Sequence, residues 1–127
     1  MNSIRNEAYS RIKSFKYAFE GWWWVLKTQH NAWIHALFTV PVFAIGFWVG
    51  LSRVEWAIII LTTMAVWMAE FMNTAIEAVV DMASPEFHPL AKVAKDVAAA
   101  AVLLGAIGAV FIGLLILGPP LWDKLFG

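Results

Sequence analysis

The chain of 127 residues is 61% hydrophobic, carries nine basic and nine acidic residues, and contains no cysteine. This length and apolar content predict a single-domain, all-α integral membrane protein over residues 1–127 and exclude an ordinary soluble domain. The balanced charge provides no bulk field for binding nucleic acid, and the lack of cysteine excludes disulfides and thiolate metal sites.

Residues 4–29 are predicted to form an amphipathic helix that lies in the membrane surface. Apolar residues recur at spacings of three and four and form one stripe, and the basic residues fall outside it. The stripe consists of Ile4, Ala8, Ile12, Phe15, Phe19, Trp22 and Leu26. A basic helix with tryptophan on its apolar face is typical of the membrane interface. A soluble core helix would need a partner surface, which the remaining sequence does not offer.

Three apolar runs predict transmembrane helices, because each is about as long as the roughly 20 residues that a hydrocarbon core requires. They cover residues 32–51, 56–80 and 97–118. Pro41 is expected to kink the first span, as prolines in membrane helices often do. In the third span Gly105, Ala109 and Gly113 recur every four residues, which favours close helix packing.

The connections between the spans set the predicted orientation. Residues 52–55 are expected to form a tight polar turn, and residues 82–96 a polar segment with two prolines. Lysine and arginine are concentrated before the first span and in residues 82–96, so these parts are expected on the cytoplasmic side. An aromatic belt would then place three tryptophans together at the outer interface, namely Trp48, Trp56 and Trp122.

The second predicted span carries acidic residues, which a bilayer disfavours. At about 1.5 Å per residue, Glu70 lies on the order of 9 Å inside the inner boundary and Glu77 lies at it. A charge at the bilayer centre costs roughly 2.5–3.5 kcal/mol. The polar residues of this span share a helical arc of about 100°, so they should form one stripe that faces protein or water instead of lipid. The stripe consists of Glu70, Asn73, Thr74, Glu77 and Asp81.

The stripe suggests phosphoryl transfer to a lipid hydroxyl at the inner leaflet. A partly desolvated carboxylate can act as a general base, and a second one nearer water suits a hard divalent cation such as Mg²⁺. Lys92, Lys95 and Asp96, near the start of the third span, are candidate phosphate contacts. A purely structural polar seam is the simpler alternative. His30 and His35 are five residues apart and do not share a helical face, so a zinc pair is not expected.

Two motifs resemble the small bacterial membrane kinases of the diacylglycerol kinase family, which includes the undecaprenol kinases. Residues 70–81, EFMNTAIEAVVD, keep the spacing E-x-x-N-[ST]-A-I-E-x-x-x-D, and residues 92–104, KVAKDVAAAAVLL, keep a Lys-Asp pair. The likeness extends through FKYAFEG (15–21) and TQHNAWIH (28–35), and so covers most of the chain. Neither a GxxxxGK[ST] motif nor the glycine-rich loop of protein kinases occurs.

The resemblance implies a homotrimer in the bacterial inner membrane, with a cytoplasmic N-terminus and active sites shared between protomers. It implies phosphate transfer from ATP with Mg²⁺ to a lipid alcohol. Glu70 would be the general base, Asn73 a supporting residue, and Gln29 and Glu77 the metal ligands. The implied nucleotide contacts are Arg11, Tyr17, Gln29, Glu77, Glu86, Phe87, His88, Lys95 and Asp96.

One position departs from the family pattern, since many members have glutamate where this chain has Gln29. An amide oxygen can bind Mg²⁺ but more weakly than a carboxylate, so metal affinity is the property affected. Residues 28–35 and the alanines after Asp96 look more like the undecaprenol branch than the diacylglycerol branch. The choice between these two lipids stays open at this point.

Two other functions fit part of the pattern. A small oligomeric proton or cation conductor could use Glu70 and Glu77 as a relay. It would need polar residues toward the outer side, where residues 56–69 offer only Thr62 and Thr63. A structural scaffold would leave the acidic stripe without a role.

Overall fold

A computed structural model describes the backbone of residues 2–127 and the side chains of residues 4–127. The described chain forms four helices: α1 (Asn2–Thr28), α2 (His30–Val49), α3 (Arg53–Ala83) and α4 (Pro89–Phe126). Helices α2, α3 and α4 are long and apolar enough to cross a membrane. The all-α class and the three candidate spans are therefore confirmed.

Within the described side chains, helix α1 docks on the other helices near its C-terminal end. The Trp22 ring lies 6.1 Å from the Trp67 ring and 5.7 Å from the Phe71 ring, both on α3. Val25 is buried, whereas the preceding residues from Ile4 onward are exposed. The predicted apolar stripe is thus uncovered along most of its length within this chain. Its position in the membrane surface stays a prediction.

The connection between α2 and α3 is shorter than residues 52–55 predicted. Gly50 adopts a left-handed conformation with φ 77°, and its N–H donates to the carbonyl of Gly46, which ends α2. Ser52 caps α3: its hydroxyl accepts from the N–H of Glu55, and its own N–H donates to the Glu55 carboxylate at 2.7 Å. Because this reciprocal pair satisfies two free backbone groups, helix formation begins at Arg53. Three of the four residues predicted as a turn are therefore helical.

The segment between α3 and α4 is also shorter than predicted. Residues 84–88 are non-helical, whereas residues 89–96 form the first turns of α4. His88 accepts the N–H of Leu90 through Nδ1 at 3.1 Å, and Pro89 occupies the first turn, where its missing N–H leaves no intrahelical bond unmade. Lys92, Lys95 and Asp96 are consequently held on a helix, whereas Glu86 lies in the non-helical part.

Helices α3 and α4 pack together along most of their length, and α2 lies against both. A Cβ built on Gly105 of α4 would meet the Val66 backbone of α3 at 3.9 Å, so the two helices approach closely there. Among the described residues nothing lies within 4 Å of the corresponding position at Gly113. The predicted small-residue contact therefore holds at Gly105 but not at Gly113 within this chain.

The three predicted outer tryptophans lie at the same end of the helix bundle. Trp56 packs against Phe47 of α2 with ring centroids 4.6 Å apart, and Lys124 places its Nζ 5.7 Å from the centre of the Trp48 ring. Trp122 precedes Lys124 by two residues on α4. The opposite end of the bundle contains the start of α2, the end of α3 and the start of α4. This second end carries the candidate site.

Candidate functional site

The polar stripe of α3 faces the interior of the chain, as its helical phase predicted. Glu70 has no exposed surface, and Asn73 and Thr74 are also buried. Glu77 is half-buried, and Asp81 is exposed at the end of the helix. The Thr74 hydroxyl donates to the Glu70 carbonyl at 2.9 Å and is thereby satisfied within its own helix. The stripe thus runs from a dry interior to the accessible end of the bundle.

Glu70 meets one polar side chain from another helix. Its Oε2 lies 3.4 Å from Nε2 of His35 on α2. Neither carboxylate oxygen has a hydrogen-bond partner within residues 4–127. The His35 ring packs at a steep angle against Trp67, with centroids 6.2 Å apart. A buried carboxylate therefore faces a buried imidazole.

The pairing of His35 with Glu70 was not predicted from the sequence, where His35 was considered as a zinc ligand beside His30 and as part of the undecaprenol-like residues 28–35. The two histidines differ in exposure: His30 lies at the surface, whereas His35 is largely buried. The available signal was an ionisable residue inside a predicted span, which requires a polar partner. That signal predicts a partner for His35 without saying which residue it is.

A first cleft of about 240 Å³ opens between α2, α3 and α4. Its polar lining comes from Gln29, Asn31, His35, Asn73 and Glu77, and its apolar lining from Ile34, Ala99, Val102, Leu103 and Ala106. The cleft therefore combines an apolar wall, mainly on α4, with oxygen and nitrogen groups on α2 and α3.

Two side chains in the first cleft have oxygen atoms free to bind a ligand. Asn73 donates from Nδ2 to Oε1 of Glu77 at 3.3 Å, and its own Oδ1 is buried without a partner in the described part of the chain. Gln29 precedes α2, and its side chain makes no capping hydrogen bond to the described helix. The amide oxygens and the Glu77 carboxylate are thus available together.

These donors fit Mg²⁺, which the family resemblance implies. Across residues 4–127 no three histidine or acidic side chains converge to enclose a metal. Mg²⁺ is commonly bound by one or two carboxylates together with substrate phosphates and water, so an all-protein cage is not required. One carboxylate and nearby amide oxygens, with a buried unpartnered oxygen among them, match that requirement.

A second cleft of about 470 Å³ lies between the end of α3 and the start of α4. Lys95 of α4 donates to Oδ1 of Asp81 at 2.7 Å across this cleft, and that hydrogen bond raises the pKa of Lys95. Lys92 forms an ion pair with Asp96 one turn along α4. Five of the predicted nucleotide contacts line the second cleft: Glu86, Phe87, His88, Lys95 and Asp96.

The predicted site residues fall into four groups. Gln29, Asn73 and Glu77 meet in the first cleft, and the five residues just named meet in the second. Glu70 lies behind His35 in the interior. Arg11 and Tyr17 are exposed on α1 and line neither cleft of the described chain. A single chain therefore brings the predicted residues of α2, α3 and α4 into two clefts and the adjoining interior, and those of α1 into neither cleft.

Comparison with known proteins decides the class of enzyme. The sequence model of a family described as prokaryotic diacylglycerol kinase matches residues 16–117. The chain belongs to the prokaryotic diacylglycerol kinase family. This kinase is 44% identical to an undecaprenol kinase of Bacillus subtilis over 117 residues. These aligned residues make up 92% of this chain and 95% of the relative.

Two further relatives carry the diacylglycerol kinase name. A protein of Synechocystis is 43% identical over 111 residues, which cover 87% of this chain and 63% of the relative. A protein of Escherichia coli K12 is 41% identical over 66 residues, which cover 52% of this chain and 54% of the relative. The predicted lipid kinase class is thereby confirmed, and the proton or cation conductor is not favoured.

Proposed function

We propose that this kinase transfers the γ-phosphate of ATP to the hydroxyl of a membrane lipid alcohol, with Glu70 as general base. The observation that carries the proposal is the state of Glu70, which is fully buried and has no hydrogen-bond partner within residues 4–127. It lies on the same helix face as Asn73 and Glu77, which line the first cleft. A buried carboxylate of this kind indicates function more than stability.

In the proposed reaction the Glu70 carboxylate accepts the proton of the lipid hydroxyl. The alcohol oxygen forms a bond to the γ-phosphorus, and the bond between that phosphorus and the β–γ bridging oxygen breaks. The products are the lipid monophosphate and ADP, and the proton is held on Glu70 until it leaves to water. A positioned general base contributes about 10²–10⁴-fold to such a step.

Glu77 and Gln29 would hold Mg²⁺ at the first cleft, and Asn73 would support them. When bound, Mg²⁺ offsets negative charge on the β- and γ-phosphates. The Asn73 amide keeps Oε1 of Glu77 in place through its 3.3 Å hydrogen bond. The second oxygen of Glu77 is left for the metal. The ligand set is weaker than one with two carboxylates, since Gln29 contributes a neutral oxygen.

The nucleotide would occupy the second cleft, which lies next to the first one along α3. Lys95 supplies positive charge to the phosphates there, and Glu86, Phe87, His88 and Asp96 supply further contacts. Arg11 and Tyr17 line neither cleft of their own described chain. In the proposed homotrimer, α1 of one protomer would carry these two residues to the site of a neighbour.

Both clefts lie at the end of the bundle opposite Trp48, Trp56 and Trp122. The basic flank of the first span and the lysines at the start of α4 belong to the same end. The positive-inside rule supports a cytoplasmic N-terminus and a site at the inner leaflet of the bacterial inner membrane. ATP would then reach the second cleft from the cytoplasm.

Undecaprenol and diacylglycerol both present a hydroxyl at the membrane surface, so the site chemistry serves either lipid. We favour undecaprenol as the substrate. The support is the similarity to the Bacillus subtilis undecaprenol kinase, which extends over 95% of that relative. The resemblance of residues 28–35 to the undecaprenol branch points the same way.

The test offers both lipids in parallel to the purified protein in bilayer-like bicelles with Mg-ATP and follows phosphate transfer. Glu70→Gln should abolish turnover and leave ATP binding intact, whereas Glu77→Gln should weaken binding of the metal–nucleotide complex. Glu55→Gln, the same change at the opposite end of the bundle, is the control and should keep turnover. Near-full turnover in Glu70→Gln would exclude Glu70 as the base, and proton flux in liposomes without ATP would support the conductor.

A further inference from the structure

His35 lies between Glu70 and the first cleft. Its ring lines that cleft and keeps 13% of its side chain exposed, whereas the Glu70 side chain is completely buried. The distance from His35 Nε2 to Glu70 Oε2 is 3.4 Å. His35 therefore contacts the buried carboxylate and also lines the cleft.

The contact requires a proton between the two side chains. An unprotonated Nε2 and an ionised carboxylate oxygen each present a lone pair, and they repel one another in surroundings that contain little water. If the carboxyl group carries the proton, Glu70 is unable to accept another from an alcohol. Only a proton on Nε2, directed at Glu70, leaves the carboxylate ionised and ready to act as a base.

The surrounding side chains hold the imidazole ring in this position. Trp67 packs at 62° to the His35 ring, and Trp67 itself contacts Phe71 and Trp22 with ring centroids 6.0 and 6.1 Å away. This aromatic cluster consists of Trp22, Trp67 and Phe71. Packing against this cluster restricts the imidazole ring, which places Nε2 at 3.4 Å from Glu70 Oε2.

We propose that His35 is a positioning residue for Glu70, an inference that rests on Glu70 as the base in the proposed function. The Nε2–H of His35 donates to the carboxylate and orients it. Both Glu70 carboxylate oxygens and His35 Nε2 are buried without a hydrogen-bond partner within residues 4–127, and at 3.4 Å a small movement of the ring would let the Nε2–H donate to Oε2. Without His35, no polar side chain of another helix in the described chain would contact the carboxylate, and its orientation toward the substrate would be lost.

The test compares two substitutions that differ in one property. His35→Phe keeps an aromatic ring against Trp67 and removes Nε2, whereas His35→Gln keeps an N–H donor of similar reach. His35→Phe should lower kcat by about 10²-fold, the scale of a misplaced catalytic group, and leave the KM for ATP unchanged. His35→Gln should recover most of the lost turnover. Wild-type kcat in His35→Phe, or equal losses in both variants, would overturn the inference.

A spectroscopic measurement keeps the inference testable if His35→Phe does not fold. ¹⁵N NMR of the histidine side chains should show Nε2 of His35 protonated at the pH of maximal activity. Its chemical shift should change in Glu70→Gln, with His30 and His88 as internal references. An unprotonated Nε2, or a shift that does not respond to Glu70→Gln, would overturn the positioning role.

The outcomes separate this inference from the proposed function. If Glu70→Gln is inactive and His35→Phe is fully active, Glu70 remains the base and only the positioning role is wrong. If Glu70→Gln retains turnover, the assignment of the base fails, and the role of His35 fails with it.

Discussion

Lys95 of α4 donates a 2.7 Å hydrogen bond to Asp81 of α3 and so ties the two helices together across the second cleft. Lys92, one turn earlier, instead pairs with Asp96 on its own helix. Both lysines are positively charged and line the second cleft, but Lys95 pairs with a residue of another helix and Lys92 with one of its own. Lys95 is also the more enclosed of the two, with 39% of its side chain exposed against 62% for Lys92. This difference makes Lys92 a matched control for Lys95.

Lys95→Met should raise the KM for ATP by about 10- to 150-fold, because a hydrogen bond to a charged group contributes about 1.5–3 kcal/mol. Lys92→Met should change it by less than about threefold, since exposed intrahelical pairs contribute little. Steady-state kinetics with ATP varied at saturating lipid measure both. Equal effects of the two substitutions would contradict the nucleotide role of Lys95.

Gln29→Glu should lower the Mg²⁺ concentration for half-maximal activity by about tenfold, because a carboxylate is a stronger ligand for a hard cation than an amide oxygen. Gln29→Met, which removes the oxygen, should raise it. Binding of Mn²⁺ as a paramagnetic probe measures the affinity directly. Asn31→Asp adds the same charge elsewhere in the first cleft, and an equal gain there would attribute the effect to general charge and not to ligation.

Trp22→Ala should loosen the C-terminal end of α1 from α3. Trp22 packs on both Trp67 and Phe71, and aromatic pairs contribute about 0.5–1.5 kcal/mol each beyond their buried area. Trp23 is exposed and contacts Lys27 of its own helix, so Trp23→Ala is the control. Thermal unfolding and proteolysis near residues 27–29 should distinguish them, and indistinguishable variants would contradict this docking.

The cap of α3 should make stability depend on acid pH. Hydrogen bonding to Ser52 lowers the pKa of Glu55 below 4.5. The backbone N–H of Ser52 has the largest effect, and its side chain adds to it. The folded state therefore favours the ionised form, and the stabilisation is present above pH 4.5 and is lost as the pH falls through the lowered pKa. Thermal unfolding of wild type and Glu55→Gln should differ at neutral pH and converge in acid. A difference independent of pH would show that ionisation of Glu55 is not involved.

The spans and the inward face of α3 could be predicted from local sequence. A run of apolar residues is enough to indicate a membrane helix, and the spacing of Glu70, Asn73 and Glu77 is enough to place them on one face. Those predictions need no knowledge of the other helices. The confirmed burial of Glu70 and Asn73 follows from the same periodicity.

The helix starts were less well predicted, although their signals were present. Ser52 and Glu55 form a capping box, and Pro89 follows the capping residue His88. Both signatures mark a helix start. Polar composition, with two prolines in the second case, predicted a turn over residues 52–55 and a loop over residues 82–96. Residues 53–55, 82–83 and 89–96 are helical instead, and the loop is limited to residues 84–88.

The amino-acid sequence by itself determined that three apolar helices form and which face of α3 is polar, because both follow from the period of a single helix. Only the tertiary structure decided that His35 faces Glu70 and that Lys95 reaches Asp81. These pairs depend on the relative height and rotation of neighbouring helices. The height and rotation of the helices are set by packing contacts between helices, such as the close approach of Trp56 to Gly46 and of Val66 to Gly105. The periodicity of a single helix does not predict such contacts.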